Sequence, residues 1–353
     1  MIEKKMIECI IEYVDLYALT ENGLFAGKAG VSLSLYLSSK HGYYPEAEHK
    51  ADEILESLIN EMPKISDLSF DRGLTGIGFA INILHKEEYI NGDIDDILYN
   101  IDASLYKFLC KKENEINLVT DFSNGLIGYL VYCISRLENP MHKKECMQHF
   151  ILEAAIRIII DRLYVLMSRD FVQMIKDLHT MLIWKFPILF YCLSRVYILG
   201  IYRNKISCIV NDWSFYICGL LPHYNINRLA LANSLSYLNA NLHNKKIESQ
   251  IKILYDSINS HEICSEFETD INCINGGWIY AIVCLTISEQ FIDKDSSKFK
   301  DLCALRNYII DVFRDRFEEE LQKSNEISNI SLINGLCGIN VLYSYLPYFL
   351  ENK

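Results

Sequence analysis

Four times the chain places G-x-x-G directly before an apolar run. Gly27-Lys-Ala-Gly30 leads into VSLSLYL, Gly73-Leu-Thr-Gly76 into IGFAINIL, Gly125-Leu-Ile-Gly128 into YLVYCISRL, and Gly335-Leu-Cys-Gly338 into INVLYSYL. Glycine in the first turn of a helix costs about 1 kcal/mol against alanine. A chain with only 16 glycines that repeats this cost needs what a side chain would forbid, a close approach of backbone to the helix start. A polar or turn-forming stretch precedes each copy, and an amphipathic segment lies further upstream: AEHKADEILESLINEM before the second copy, NGDIDDILYNIDASLYKFLCKK before the third.

The spacing extends the pattern. Gly27 and Gly73 are 46 residues apart, and Gly73 and Gly125 are 52 apart. The 210 residues from Gly125 to Gly335 leave room for three more copies, at the segments beginning near Ile183 (IWKFPILFYCLSRV), near Leu231 (LANSLSYLNANL) and at Gly276-Gly-Trp (YAIVCLTI). Two helices per period of this length make a helical repeat, here of seven hairpins. Runs that are apolar nearly all round suit an inner layer, with the amphipathic helices outside. The expected fold is all-α, one domain over residues 1–353, an (α/α)7 toroid with G-x-x-G at the starts of the inner helices. An open solenoid, with the glycines serving only as hairpin turns, is the alternative.

Composition narrows the function. Half of the residues are apolar and only six are proline, which favours long regular elements. The net charge is −12 and no Lys/Arg-rich tract occurs, which argues against nucleic acid as a partner. Twelve cysteines form no CxxC, and several lie in apolar runs, the pattern of reduced thiols in a cytoplasmic protein. MIEKKMIECIIEYVDLYAL carries acids within its apolar period and reads as an amphipathic helix, not a signal peptide. MLIWKFPILFYCLSRVYILGIY is broken by Lys185, Pro187 and Arg195, so no transmembrane segment is expected.

The stretches GLFAGKAGVSLSLYL, DRGLTGIGFAINIL, DFSNGLIGYLVYC and LINGLCGINVLYSYL resemble the repeats of lanthionine synthetase C-like proteins, the cyclases of lanthipeptide biosynthesis. The resemblance implies a toroid of seven inner and seven outer helices. It also implies a zinc ion at the mouth that activates a cysteine thiol of a precursor peptide for addition to a dehydrated serine or threonine. A thiol with a pKa near 8.5 is mostly protonated at neutral pH, and zinc held by three protein ligands keeps a fourth position for the thiolate. The family draws these ligands from stretches like W-C-Y-G-x-P-G and C-H-G, and a proton-transfer histidine from one like A-H-G-I-A-G-P.

Laid on those stretches, the chain departs at every one. Asp177-Leu-His-Thr-Met-Leu-Ile-Trp-Lys-Phe-Pro187 puts Leu182 at the proton-transfer histidine. Arg228-Leu-Ala-Leu-Ala-Asn-Ser234 puts Leu229 at the first zinc cysteine. Ile274-Asn275-Gly276 puts Ile274 and Asn275 at the second cysteine and the histidine. Leu and Ile carry no ligand atom, and an amide does not replace imidazole on zinc. No cofactor is therefore expected, although the family implies zinc. Asp121, four residues before Gly125, keeps its family position and is the candidate catalytic group; DFSNG is equally a helix N-cap. Asn124 and Asn275 are candidate binding residues beside helix starts, where asparagine is also common turn chemistry. His179 lies three residues before Leu182 and is either a pocket or a core histidine. His261, Cys264 and Cys273 are either a displaced metal site or ordinary residues, and Trp184 and Trp278 read as core.

The expected function is that of a zinc-free, non-cyclising homologue in ribosomal peptide maturation. Its partners would be a precursor peptide and possible docking enzymes, a dehydratase or an active cyclase. Two alternatives stand beside it. One is metal-independent cyclisation, with Asp121 as base. The other is a carbohydrate-active α/α toroid using Asp121 with Asp71.

Overall fold

The computed structural model describes residues 2–38, 44–111, 119–180, 185–266, 277–322, 329–333 and 335–346. Among them all regular structure is helical. The runs that follow the four glycine motifs form α2 (Lys28–Ser38), α4 (Leu74–Lys86), α7 (Leu126–Leu137) and α16 (Leu336–Tyr345). All eleven residues of α2 are buried, the sign of a helix packed on every side. The three further apolar runs form α9 (Lys185–Ile198), α11 (Asn225–Leu242) and α14 (Trp278–Ser288). Between them lie the amphipathic α1 (Ile2–Leu16), α3 (Pro45–Glu61), α6 (Tyr99–Cys110), α8 (Met147–Thr180), α10 (Arg203–Ile217), α12 (Lys245–Asp256) and α15 (Ser297–Gln322). The short α5 (Ile94–Ile97) and α13 (Ser260–Ile263) are single turns.

Packing divides the chain into two compact units, residues 1–159 with 314–353, and residues 160–313. In the first, the apolar helices neighbour one another in the series α16, α2, α4, α7, with α3 against α2 and α6 against α4. The last helix of the chain thus returns to the first apolar one. Buried amides tie the series together: Asn82 Nδ2 donates to Ser135 O at 2.9 Å, and Asn340 Nδ2 donates to Ser34 O at 2.8 Å and Ser38 Oγ at 2.6 Å. In the second unit α11 packs against α9, α14 and α12, and Asn233 Nδ2 donates to Cys284 O at 2.8 Å. Such cross-links fix the register of otherwise greasy neighbours, because an unmet buried amide is costly. No described helix is long and apolar enough to cross a membrane.

Candidate functional site

The G-x-x-G copies of the first unit build one loop four times. The residue after the first glycine donates its N–H to the carbonyl seven residues earlier: Lys28 to Glu21 (2.9 Å), Leu74 to Asp67 (2.8 Å), Leu126 to Val119 (3.0 Å) and Leu336 to Asn329 (3.3 Å). The loop therefore folds back over the helix start, and both glycines lie against its carbonyls. A Cβ on Gly73 would lie less than 3.0 Å from Asp67 O, and one on Gly76 less than 3.0 Å from Phe70 O. Close approach, not turn flexibility, is what the glycines provide. The loops also bond to one another. Phe25 N donates to Asp71 O (3.1 Å), Asp71 N to Ser123 O (2.9 Å) and Leu332 N to Phe25 O (2.7 Å).

This stacking brings three aromatic rings together. Phe70 lies 4.9 Å from Phe122 and 6.2 Å from Phe25, and Phe25 lies 5.9 Å from Phe122, measured between ring centroids. Phe70 is buried, while Phe25 and Phe122 are half-buried. Around the rings stand the exposed Asp67, Asp121 and Asn124 and the half-buried Asp71. Asp71 accepts from Arg72 N at 2.8 Å and pairs with Arg72 Nε at 3.5 Å. Tyr129 faces the same carboxylates: burial, then the charges of Asp67 and Asp71, push its phenol up to about 12. The result is an acidic, aromatic surface at one end of the unit.

Asp121 belongs to this surface but is not the cap of α7. The N-cap is Gly125, without a side-chain cap bond, and Asp121 Oδ1 instead accepts from Phe122 N at 2.6 Å. The equivalent positions, four before the first glycine, are Gly23, Ser69 and Ser331. The loop is made equally well with those residues, so its geometry does not require a carboxylate at 121. Asn124 is exposed beside Gly125, as expected of a rim residue.

In the second unit, Leu229 lies in the first turns of α11 and is fully buried. The start of α11 is held by a carboxylate from 41 residues downstream: Asn225 N and Nδ2 donate to Glu266 Oε1 at 2.6 and 2.9 Å, and Ile226 N donates to Glu266 Oε2 at 3.0 Å. An anion there satisfies orphan backbone donors and suits the positive end of the helix dipole. The backbone of His179 is in the last turn of α8. Leu182, Trp184, Cys273, Ile274 and Asn275 lie outside the described residues. Trp278 opens α14. Among the described residues, His261 and Cys264 are not part of a group with metal-ligand spacing.

Comparison with known proteins bears on the first half of the chain. Residues 4–176 match the sequence model of the lanthionine synthetase C-like proteins. Over those residues the chain is lanthionine synthetase C-like in sequence. A solved structure similar to it is nisin cyclase, at 14% identity and a TM-score of 0.41, covering 97% of this chain and 80% of that one. No protein of curated function matches the sequence. The position that the resemblance puts at the first zinc cysteine, Leu229, is buried and carries no ligand atom, and the Asn225 side chain at the start of α11 is bonded to Glu266.

A second cluster lies at the opposite end of α7, whose 12 residues span about 18 Å. Arg136, fully buried, donates from Nη2 to Asp95 Oδ1 and Asp102 Oδ2, both at 3.0 Å. Asp95 also accepts from Lys143 N at 3.0 Å, and its Oδ1 meets His142 Nδ1 at 2.6 Å. Burial works to raise Asp95, but these bonds outweigh it and hold the carboxyl below its ordinary value. Asp95, His142 and Cys146 bring ligand-type atoms within 4.8 Å of one another. The sequence signal is H-x3-C-x2-H in HKKECMQH, residues 142–149. Weighing the cysteines for CxxC and for the His261, Cys264 and Cys273 spacing passes over it.

Proposed function

We propose that this lanthionine synthetase C-like protein is a zinc-free, non-cyclising member of its family that binds a precursor peptide in ribosomal peptide maturation. The observation that carries the reading is a contrast within one chain. The glycine-loop surface is fully built, with four bonded loops, an aromatic cluster and exposed carboxylates, while the family's first zinc position is a buried leucine. Aromatic rings ringed by acids suit a peptide segment with basic and apolar side chains, since aromatic anchors carry much of the energy in such contacts. A dehydratase or an active cyclase would complete the reaction around it.

The test uses lanthipeptide precursor peptides, unmodified and dehydrated, in fluorescence titrations and in a cyclisation assay. Binding on the order of micromolar Kd is expected, with lanthionine formation no faster than without protein. No binding to any of the peptides would remove the reading. Asp121→Ser is expected to leave stability within about 0.5 kcal/mol, as for surface changes without a structural role, because Ser69 and Ser331 build the same loop. The same change is expected to weaken binding of a basic peptide several-fold. Cyclisation above control that is lost in Asp121→Ser would instead favour the metal-independent cyclase, for which Asp121 is the available base.

A further inference from the structure

The four glycine loops share one backbone but not one set of side chains. Two residues before the first glycine stand Phe25, Asp71, Ser123 and Ile333, and six before it stand Glu21, Asp67, Val119 and Asn329. Of the four, the second loop has a carboxylate at both positions. Neither charge is needed to build the loop. Asp67 Oδ1 accepts from Ser69 N at 2.8 Å, and in the last loop the amide oxygen of Asn329 accepts from Ser331 N at 2.9 Å in the same way. At the Asp71 position the other loops form with a phenylalanine, a serine and an isoleucine. Two carboxylates held close together without a structural need are free to serve a ligand.

α7 adds a second departure at the same place. Four residues after the first glycine the other three helices carry Val31, Ile77 and Ile339, all buried and apolar. α7 carries Tyr129. A Cβ on Gly128 would lie 2.6 Å from Phe70 Cβ, so the first turn of α7 lies directly on the second loop. Tyr129 is 5% exposed, and its ring is fixed edge-on to Phe108 at 6.0 Å. A buried tyrosine hydroxyl ordinarily finds a hydrogen-bond partner, but among the described residues this one has none. The charges that act on it are those of Asp67 and Asp71, with no cation to offset them. The neighbouring cation, Arg72, has a side chain 77% exposed and reaches Asp71 Oδ2 only at 3.5 Å, a pairing that solvent screens and a ligand can displace.

We infer that Asp67, Asp71 and the Tyr129 hydroxyl form a subsite for one basic side chain, lysine or arginine, of a bound peptide. An ammonium offers three N–H donors and a guanidinium five, and the two carboxylates and the phenol oxygen are acceptors for them. Charge-assisted bonds of this kind are stronger than neutral ones. The Phe25, Phe70 and Phe122 rings lie alongside, since Phe70 immediately precedes Asp71, and they take an apolar neighbour of the basic residue. The inference rests on the reading of the loop surface as a peptide site and adds to it the place where charge is recognised.

The test uses two probes, Ac-Phe-Lys-amide and Ac-Phe-norleucine-amide, titrated into the full chain carrying carbon-13 in its tyrosine rings. The Tyr129 signal is identified by its loss in Tyr129→Phe. The lysine probe is expected to bind about tenfold more tightly than the norleucine probe and to shift the Tyr129 signal. Asp67→Asn and Asp71→Ser introduce the side chains that the last and third loops use at those positions, and Tyr129→Phe keeps the ring against Phe108. All three should melt in urea like the parent, and each should cut the lysine preference to about threefold or less, the level of an ordinary exposed charge. Glu56→Gln, an exposed carboxylate on α3, should leave the preference unchanged. Equal affinity for the two probes, binding of neither, or a preference that survives in the three variants would each overturn the inference. Precursor peptides that still bind would then leave the peptide-binding reading standing. A lysine preference without binding of any precursor peptide would remove that reading and keep the subsite.

Discussion

Gly76→Ala is expected to unfold the first unit or to cost about 3–5 kcal/mol, among the largest effects a single methyl group can have. Elsewhere in a helix the same change is favourable by about 1 kcal/mol, because alanine is the better helix former. Gly76 sits at the third position of α4, and its added Cβ would lie less than 3.0 Å from Phe70 O, a backbone atom, and 3.0 Å from Leu24 Cβ. Phe70 O cannot retreat alone. Phe70 N donates to Ser123 O at 2.8 Å, and the Phe70 ring packs on Phe122 and Phe79. Relief therefore means moving the loop, its bond to the next loop and the aromatic cluster. Gly219→Ala is the control. Its φ of +90° makes alanine strained, but nothing among the described residues lies within 4 Å, so the expected cost is only about 1 kcal/mol. Urea denaturation of both variants measures the difference. Equal costs would mean that the loop yields and that the glycine pattern marks something other than backbone contact.

That argument also shows why part of the fold is legible in sequence. Where backbone meets backbone, only glycine fits, so α2, α4, α7 and α16 announce their starts in four separate places. The apolar helices of the second unit carry no such mark. α9 and α14 fall where the spacing alone puts them, but α11 starts at Asn225, six residues before the Leu231 from which the repeat was counted. Its start is set by Glu266, a long-range carboxylate cap that no local pattern encodes. The aromatic cluster was hidden for a related reason. Phe25, Phe70 and Phe122 are each about fifty residues apart, and they are brought together only by hydrogen bonds between loops. The DFSNG stretch misled in the opposite way. Its aspartate looks like a cap because caps are written with such residues, but the loop doubles back and makes Gly125 the cap. The far cluster combines both kinds of difficulty. His142, Cys146 and His149 are close in sequence and could be seen there, whereas Asp95 joins them across 47 residues.

Removing the charge of Arg136 is the second large effect expected. Arg136→Met preserves most of the length and apolar packing of the side chain but leaves Asp95 and Asp102 without their shared cation. Breaking a buried ion pair by deleting one partner costs about 3–5 kcal/mol, because the remaining charge stays desolvated. Asp102 bears most of it. Asp95 keeps Lys143 N and His142, whereas among the described residues Asp102 keeps the hydroxyl of Tyr132, which donates to it at 2.6 Å. Burial already pushes the Asp102 carboxyl above its ordinary 3.8, even with Arg136 beside it, and loss of the cation pushes it further. A carboxyl raised in the folded state binds more protons folded than unfolded, so its stability contribution is present below pH 3.8 and is lost as pH rises through the folded value. The cost of Arg136→Met should therefore be largest at neutral pH and shrink as pH falls toward about 5. Adding Asp102→Asn should recover part of the neutral-pH loss, since the amide can still accept from Tyr132 without a charge to desolvate. Urea melts of the parent, the single variant and the double variant at two pH values measure all of this. A cost that does not change with pH would mean that the arginine acts by packing alone, and that the two aspartates do not depend on its charge.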